Sequence, residues 1–411
     1  MYGKYAGGAS RVELKKVEYK PISVKELLVQ MSKFSSLMVD LAYTAYLYNK
    51  KSLAEEVMKL EEQVDYLSYL LLMNASLAVR DKEDAEMIAG ILKMASAVDG
   101  ISNAAADIAN LVLLGISSHD LVDYAFELTY ETVDALEIKN TGFIGKTLEE
   151  LSFESKLGVN VIAVRKGKKW IIDPSPDTKL EKGDIIIVRG TIDSVDHMER
   201  VFGVYEEVIS EEEMKPEWKK ISTLVEDLKD INEIMIYLAY SALMFHNHRL
   251  AKEVLELEEY TDKLHTEYEL EVLKLHDKLS KNEKTILGLL RLGIAAENMA
   301  DAAAMMAEIT LRGLEPHPII RDIINESEEL IIAVRVGEHS DVANKKLIDT
   351  NLEDSGAIVL AVRRGKKWYF KPTEEFIFHP DDILILKIFP EMKTTIKRLV
   401  KGASPKEKAV Q

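Results

Sequence analysis

At 411 residues the chain is longer than one hydrophobic core usually serves, so two or more domains are expected. Its 53 basic and 70 acidic residues give a net charge of −17, which argues against DNA or RNA as a partner because phosphate backbones need a basic footprint. Cysteine is absent, which excludes disulfides, thiolate zinc sites and thiol catalysis. The longest run free of Asp, Glu, Lys and Arg, Ile234–His248, has 15 residues, whereas a membrane span needs about 20 predominantly apolar ones. The first twenty residues lack the apolar core of a signal peptide, and a soluble, cytoplasmic chain is expected.

In chain order, a first helix is predicted from Ser23, where Leu27, Met31, Phe34, Met38, Leu41 and Ala45 recur at three and four. Ser23 with Glu26, and Ser52 with Glu55, have capping-box spacing and predict two helix starts. The second helix carries Leu53, Val57, Leu60, Val64 and Leu67 as one seam, and a third runs from about Asp84 to Leu114 with Gly115 to cap it. A shorter helix is expected after His119. Strands follow in VDALEI, VNVIAVR, KWIID and DIIIVRG, with helical candidates in TLEELSF and TIDSVDHMERVF.

The whole pattern then repeats. LAYTAYLY (Leu41–Tyr48) returns as LAYSALMF (Leu238–Phe245) and LAEEVMKLEEQVDYL as LAKEVLELEEYTDKL, both 197 residues on. AVRKGKKW (Ala163–Trp170) returns as AVRRGKKW (Ala361–Trp368) after 198. The fold class is α+β: two helical bundles, each followed by a small α+β module, arranged as an internal duplication. Expected boundaries are an arm at 1–20, a bundle at 21–132, a module at 133–204, an acidic linker at 205–217, a second bundle at 218–330, a second module at 331–400 and a tail at 401–411.

Three features could carry chemistry. Arg165, Lys166, Lys168 and Lys169 surround Gly167 at a predicted hairpin, and Arg363, Lys366 and Lys367 recur around Gly365. Such a knot is either a solvated tip that protects a sheet edge or, since it opposes the net charge and occurs twice, an anion or partner contact. NTGFIGKT (Asn140–Thr147) falls one residue short of a phosphate-binding P-loop, and its duplicate, NKKL, lacks the glycine and threonine. No G-x-G occurs, so neither ATP nor a dinucleotide such as NAD is expected.

The third feature is a set of acids four apart: Glu61 and Asp65, Glu258 and Asp262, Glu297 and Asp301, with Asp99 and Asn103 as the degraded fourth pair. At 100° per residue Asp99 falls in line with Ile88, Leu92, Ala95 and Ala106, and Glu297 with Ile286, Leu290 and Ala304, so these carboxylates are expected to face the bundle interior. Acids placed there need a partner, a proton or a cation, and pairs from neighbouring helices suit a divalent metal or iron. The alternative is an acidic surface patch or a salt-bridge network. His246, His248, His265 and His276 cluster in the second unit only; they are expected to face solvent, with a role as extra ligands as the alternative. No nucleophile signature appears, so a non-catalytic protein is expected.

The helical blocks, with ELEEYTD and AAENMADAAAMMAE, resemble the half-repeats of PhoU proteins, and the modules, with FIGKTLEELSF, GVNVIAVRKGKKWI and LEKGDIIIVRG, resemble the TrkA carboxy-terminal domain. The second module departs from the pattern with HPDD in place of EKGD. The resemblance implies a cytoplasmic, archaeal-type regulator of potassium or other cation transport that meets a channel's or transporter's cytoplasmic face, without catalysis. It implies metal at Glu61, Asp65, Asp99, Asn103, Glu258, Asp262, Glu297 and Asp301. It further implies a small anionic ligand, such as a cyclic dinucleotide, at Asn160, Ile162 and Arg165, with Lys168, Lys169, Arg363, Lys366 and Lys367 as further contacts. Duplication adds the expectation that the halves pair within one chain as a pseudo-dimer, with a homodimer as the alternative. Two other functions are weighed: a PhoU-type regulator of phosphate uptake and signalling, and a metal-dependent carboxylate-bundle enzyme.

Overall fold

The computed structural model describes residues 17–77, 79–116, 131–139, 142–203, 216–278, 283–314, 330–370 and 372–402. In the first half α1 (Val24–Leu47), α2 (Lys51–Ser76) and α3 (Lys82–Leu113) form the bundle. Ser23 caps α1, its Oγ accepting from the Glu26 amide at 3.1 Å. The second start is corrected: α2 begins at Lys51, with Lys50 at the cap and no side-chain bond. The turn closes through its backbone instead, with Asn49 left-handed at φ 51° and the Lys50 amide donating to the Ala45 carbonyl at 2.9 Å. Asp81 caps α3, and Gly115 at φ 65° follows its end. The helix expected after His119 and the linker up to residue 215 lie outside the described residues.

The second half repeats this with α7 (Pro216–Met244), α8 (His248–Lys278) and α9 (Glu283–Leu311), α4 to α6 belonging to the first module. Both bundles contribute to one continuous hydrophobic core. Contacts between the halves are reciprocal. Ser35 Oγ meets Tyr240 Oη at 3.2 Å, while Asn232, the counterpart of Ser35, donates to the hydroxyl of Tyr43, the counterpart of Tyr240, at 3.0 Å. Gly90 of α3 abuts the Leu314 carbonyl after α9, and Gly288 of α9 abuts the Ile116 carbonyl after α3. An added Cβ would stand 2.8 Å and 2.2 Å from those oxygens, so glycine permits the approach. Such exchange of equivalent contacts is the geometry of a two-fold interface.

Each module is a four-stranded antiparallel sheet. The first has order β1-β4-β2-β3, from β1 (Glu131–Glu137), β2 (Val159–Lys166), β3 (Lys169–Ile172) and β4 (Ile185–Thr191). The second has order β5-β8-β6-β7, from β5 (Leu330–Arg335), β6 (Ala357–Arg364), β7 (Lys367–Phe370) and β8 (Ile383–Ile388). A bulge interrupts the register between Val161 and Ala163, and again between Val359 and Ala361.

The two faces of each sheet have different partners. Val133, Ala163, Trp170 and Ile187 join the bundle core, while Val164, Ile186 and Val188 pack with the module's own α4 (Leu148–Leu151), α5 (Phe153–Leu157) and α6 (Ile192–Phe202). In the second module Ala361, Trp368 and Ile385 take the bundle side, and α10 (Lys393–Lys401) covers the other. A strand alternates its side chains, so each sheet is both the wall of a module and the floor of a seam. Thr147 is structural here: its hydroxyl accepts from the Glu150 amide at 3.2 Å and Glu150 bonds back at 2.9 Å, a capping box at the start of α4.

Candidate functional site: the seams between bundle and module

The repeated basic knot is a hairpin tip, with Gly167 at φ 59° and Gly365 at φ 63° in its two copies. Its arginine points into the seam. Arg165 Nε donates to Glu56 Oε2 at 2.5 Å and its second amino group to Oε1 at 2.8 Å, while the remaining amino group closes on the Gly167 carbonyl at 2.7 Å. Arg363 makes the same fork to Glu253, at 2.7 and 3.0 Å, and bonds the Gly365 carbonyl at 3.1 Å. Glu56 on α2 and Glu253 on α8 are only 5% and 4% exposed. Each guanidinium also lies over a tryptophan, Trp170 at 6.0 Å and Trp368 at 5.8 Å. A buried carboxylate held by a bidentate guanidinium is a strong, directional tie.

The next residue along the strand points to the opposite face. Lys166 pairs with buried Asp184 at 3.0 Å and donates to the Lys179 carbonyl at 2.7 Å. Its counterpart Arg364 forks onto Asp382 at 2.8 and 2.7 Å, and this hydrogen bonding raises the guanidinium pKa. The expectation of an open anion contact is therefore corrected at Arg165 and Arg363, which are committed to the bundle. Lys168, Lys169, Lys366 and Lys367 remain exposed at the tips, with Lys367 over the Tyr369 ring at 4.8 Å. Asn160 is exposed and Ile162 is half-buried against the bundle core.

The first seam carries a further tie. Lys50, in the α1–α2 turn, bridges Asp134 on β1 at 3.1 Å and Glu199 on α6 at 2.5 Å. Burial would lower the Lys50 pKa, but the two acids more than offset it and hold the pKa above its ordinary value. Burial, then the neighbouring Asp134, push Glu199 up to about 7 against the pull of Lys50. Arg189 on β4 also pairs with Asp40 on α1. At the matching positions the second half has Asn247, Ile332 and Lys397.

The acid pairs stand elsewhere, along the grooves between the second and third helix of each bundle. Asp262 and Asp301 are exposed and Glu258 is half-buried; burial, then its acidic neighbours, raise the pKa of Glu258 and of Asp301. In the first half Asp99 is half-buried near exposed Asp65, with its pKa raised by burial and then by Asp65, and Asn103 donates to it at 3.2 Å. Glu61 is half-buried beside them. Neighbouring helices do bring their acids together, but the interior placement is corrected: they line the rim. The oxygen donors suit a hard cation, and among the described residues no three acidic or histidine side chains gather closely enough to hold one as they stand.

Glu297 has a different partner, His265, whose Nδ1 lies 3.1 Å from its carboxylate. His265 is buried rather than solvent-facing; Gly293 leaves room there, where a Cβ would lie 2.7 Å from the Tyr268 ring and 3.1 Å from the His265 Nε2. His246 also departs from expectation, with its Nε2 buried, whereas His248 is exposed. Sequence reasoning missed Glu56, Glu253, Lys50, Asp134 and Glu199. A signal existed for the first two, since an acid within an apolar seam recurs 197 residues later.

A protein in which a helical bundle carries an α+β sheet module, both present twice, is the class that this fold and its paired seams define. Family comparison is specific: the PhoU domain matches residues 28–112 and 225–310, and the TrkA-C domain matches 135–203 and 331–392. The chain is a tandem duplication of PhoU and TrkA-C domains. It is 29% identical over 102 residues to the Ktr system potassium uptake protein C of Bacillus subtilis, covering 25% of this chain and 46% of that protein. It is 33% identical over 85 residues to potassium channel protein 1 of Methanocaldococcus jannaschii, covering 20% of this chain and 26% of that one. The chain thus spans less than half the length of these relatives. PhoU from Pseudomonas aeruginosa is similar over 71% of this chain and 96% of its own, at 14% identity and a TM-score of 0.40. No helix among the described residues is long and apolar enough to cross a membrane.

Proposed function

We propose that the chain is a non-catalytic, cytoplasmic regulator of potassium or other cation transport, in which the TrkA-C modules receive a signal and the paired PhoU bundles pass it to a transporter. The observation that carries this reading is the twin fork of Arg165 on Glu56 and Arg363 on Glu253. It ties the hairpin that bears the exposed lysines to the second helix of each bundle, so a ligand or transporter face that moves the tip also moves the helix. The two potassium-transport relatives support the direction of the reading. Within it, a cyclic dinucleotide or similar anion would contact Asn160 and the tip lysines, and the reciprocal contacts between the halves would make the chain its own pseudo-dimer.

Rubidium uptake in cells that depend on one co-expressed Ktr-type transporter tests the proposal. Uptake should change at least severalfold when the chain is present, and Glu56→Gln with Glu253→Gln should abolish the change, circular dichroism of the variant separating loss of coupling from loss of the fold. Identical uptake with and without the chain would overturn it.

A second reading, regulation of phosphate uptake, draws on the PhoU match and on the acid pairs. A hard cation is the complement that Glu258, Asp262 and Asp301 call for, and it would close the groove between α8 and α9. Phosphate-limited growth, together with metal analysis of Asp262→Asn and Asp301→Asn, tests that reading.

A further inference from the structure

The duplication permits an internal comparison at one place, the junction of the helix turn, the first strand of the sheet and the module's last helix. In the first half Lys50 occupies it, neutralised by Asp134 and Glu199. In the second half both acids are gone, replaced by Ile332 and Lys397. Beside this corner lies an open cleft of about 350 Å³ lined by Arg249, Arg335, Val336, Gly337, Glu338, Asp381 and Lys401.

Its charge is one-sided. Lys393, Lys397 and Lys401 recur every four residues on α10 and so share one face, and Arg249 joins them from the first turn of α8. Burial, then Lys393, Lys401 and Arg249, hold the Lys397 pKa below the ordinary lysine value, so Lys397 lies within electrostatic reach of the other three. Of the acids lining the cleft, Asp381 is bound to Arg335 at 3.2 Å, which leaves Glu338 against Arg249 and Lys401. One lysine in the last turn of α10 is accounted for by the helix dipole; a column of three plus an arginine is not. Gly337 brings its backbone against the end of α10, where a Cβ would stand 2.0 Å from the Lys401 carbonyl, so the floor of the cleft is fixed.

The geometry points to an anion-binding site in this cleft, on Arg249 and Lys401 with Lys397 one turn back on the same face of α10, for a ligand bearing a phosphate or pyrophosphate group. The ligand would supply the negative charge that Asp134 and Glu199 supply in the first half, and would lock the second module to its bundle as Lys50 locks the first. The site is separate from the hairpin tips and stands whether or not the chain regulates potassium transport.

Calorimetry with inorganic pyrophosphate at low salt tests it, using the full chain. We expect one site per chain, weakened about tenfold or more by Arg249→Ala and by Lys397→Gln, and unchanged by Lys366→Gln with Lys367→Gln at the tip. Lys397→Glu should raise the melting temperature without ligand and abolish the further rise that pyrophosphate gives the parent protein. Flotation with phosphatidylglycerol vesicles separates the sources: loss of flotation in Lys397→Gln assigns the phosphate to a lipid headgroup, and binding of pyrophosphate without flotation assigns it to a free anion. Absence of both, or binding that survives all three cleft substitutions, would overturn the site.

Discussion

The two seams share one tie and differ in the rest. Both use an arginine fork on a buried helix carboxylate, but the first adds the Lys50, Asp134 and Glu199 trio while the second sets Lys397 against other cations. The duplicated scaffold has kept what docks module to bundle and changed what trims it. The shared fork is therefore the structural element, and the divergent corner is where the halves acquire separate behaviour.

Breaking the shared element should give the largest effect. Arg363→Ala strands the buried Glu253 carboxylate and should cost about 3–5 kcal/mol in denaturant unfolding, while Arg165→Ala leaves Glu56 with Lys59 at 2.7 Å and should cost less. Replacing both partners, with Arg165→Met and Glu56→Leu, should recover most of that loss, because the desolvated charge goes with its partner. A loss in one half only would show that the seams are not equivalent.

The divergent corner should separate them. Lys50→Met leaves Asp134 and Glu199 buried side by side and should destabilise by about 3 kcal/mol, on the same scale for a broken buried pair. Its counterpart Asn247→Ala removes only a helix cap, whose Oδ1 accepts from the Arg249 and Leu250 amides at 3.1 and 3.3 Å, and should cost about 1 kcal/mol. Limited proteolysis of the two variants should release the module ends in that order.

The contrast between local and long-range information also explains what the sequence could reveal. Helix periods, strand runs and the hairpin glycines are short-range patterns, and the described helices and strands formed where they predicted, save the start of α2, which the sequence put at Ser52. The address of Arg165 at a hairpin was legible; its partner Glu56, 109 residues earlier, was not, because the docking of a sheet on a helix leaves no period in either. Asp99 shows the opposite error. Treating α3 as a helix with one buried stripe put that carboxylate inside, but α3 packs on α1, α2 and α9 together, so its buried arc is broad and Asp99 marks the edge. His265 was hidden for a third reason, since it packs beside Tyr268 against Gly293 on another helix.

The smallest effect, and the sharpest test of the difference between halves, is in pH. Glu199 is raised from 4.5 to about 7 in the folded protein, so its protonated form is favoured by folding. Its contribution to stability is fully present below pH 4.5 and is lost as the pH rises through about 7, because over that window the folded state binds the extra proton. Lys397 runs the other way: its folded pKa lies below the ordinary 10.5, so the stability it contributes is present above that value and is lost as the pH falls through the lowered one. Melting curves of the parent protein against Glu199→Gln should diverge between pH 4.5 and 7, with the parent losing stability that the variant keeps. Against Lys397→Met they should diverge only on the alkaline side, the parent gaining as that lysine deprotonates. Parallel curves for the first pair would mean that Lys50 holds Glu199 ionised throughout, and the two corners would then differ in charge but not in response.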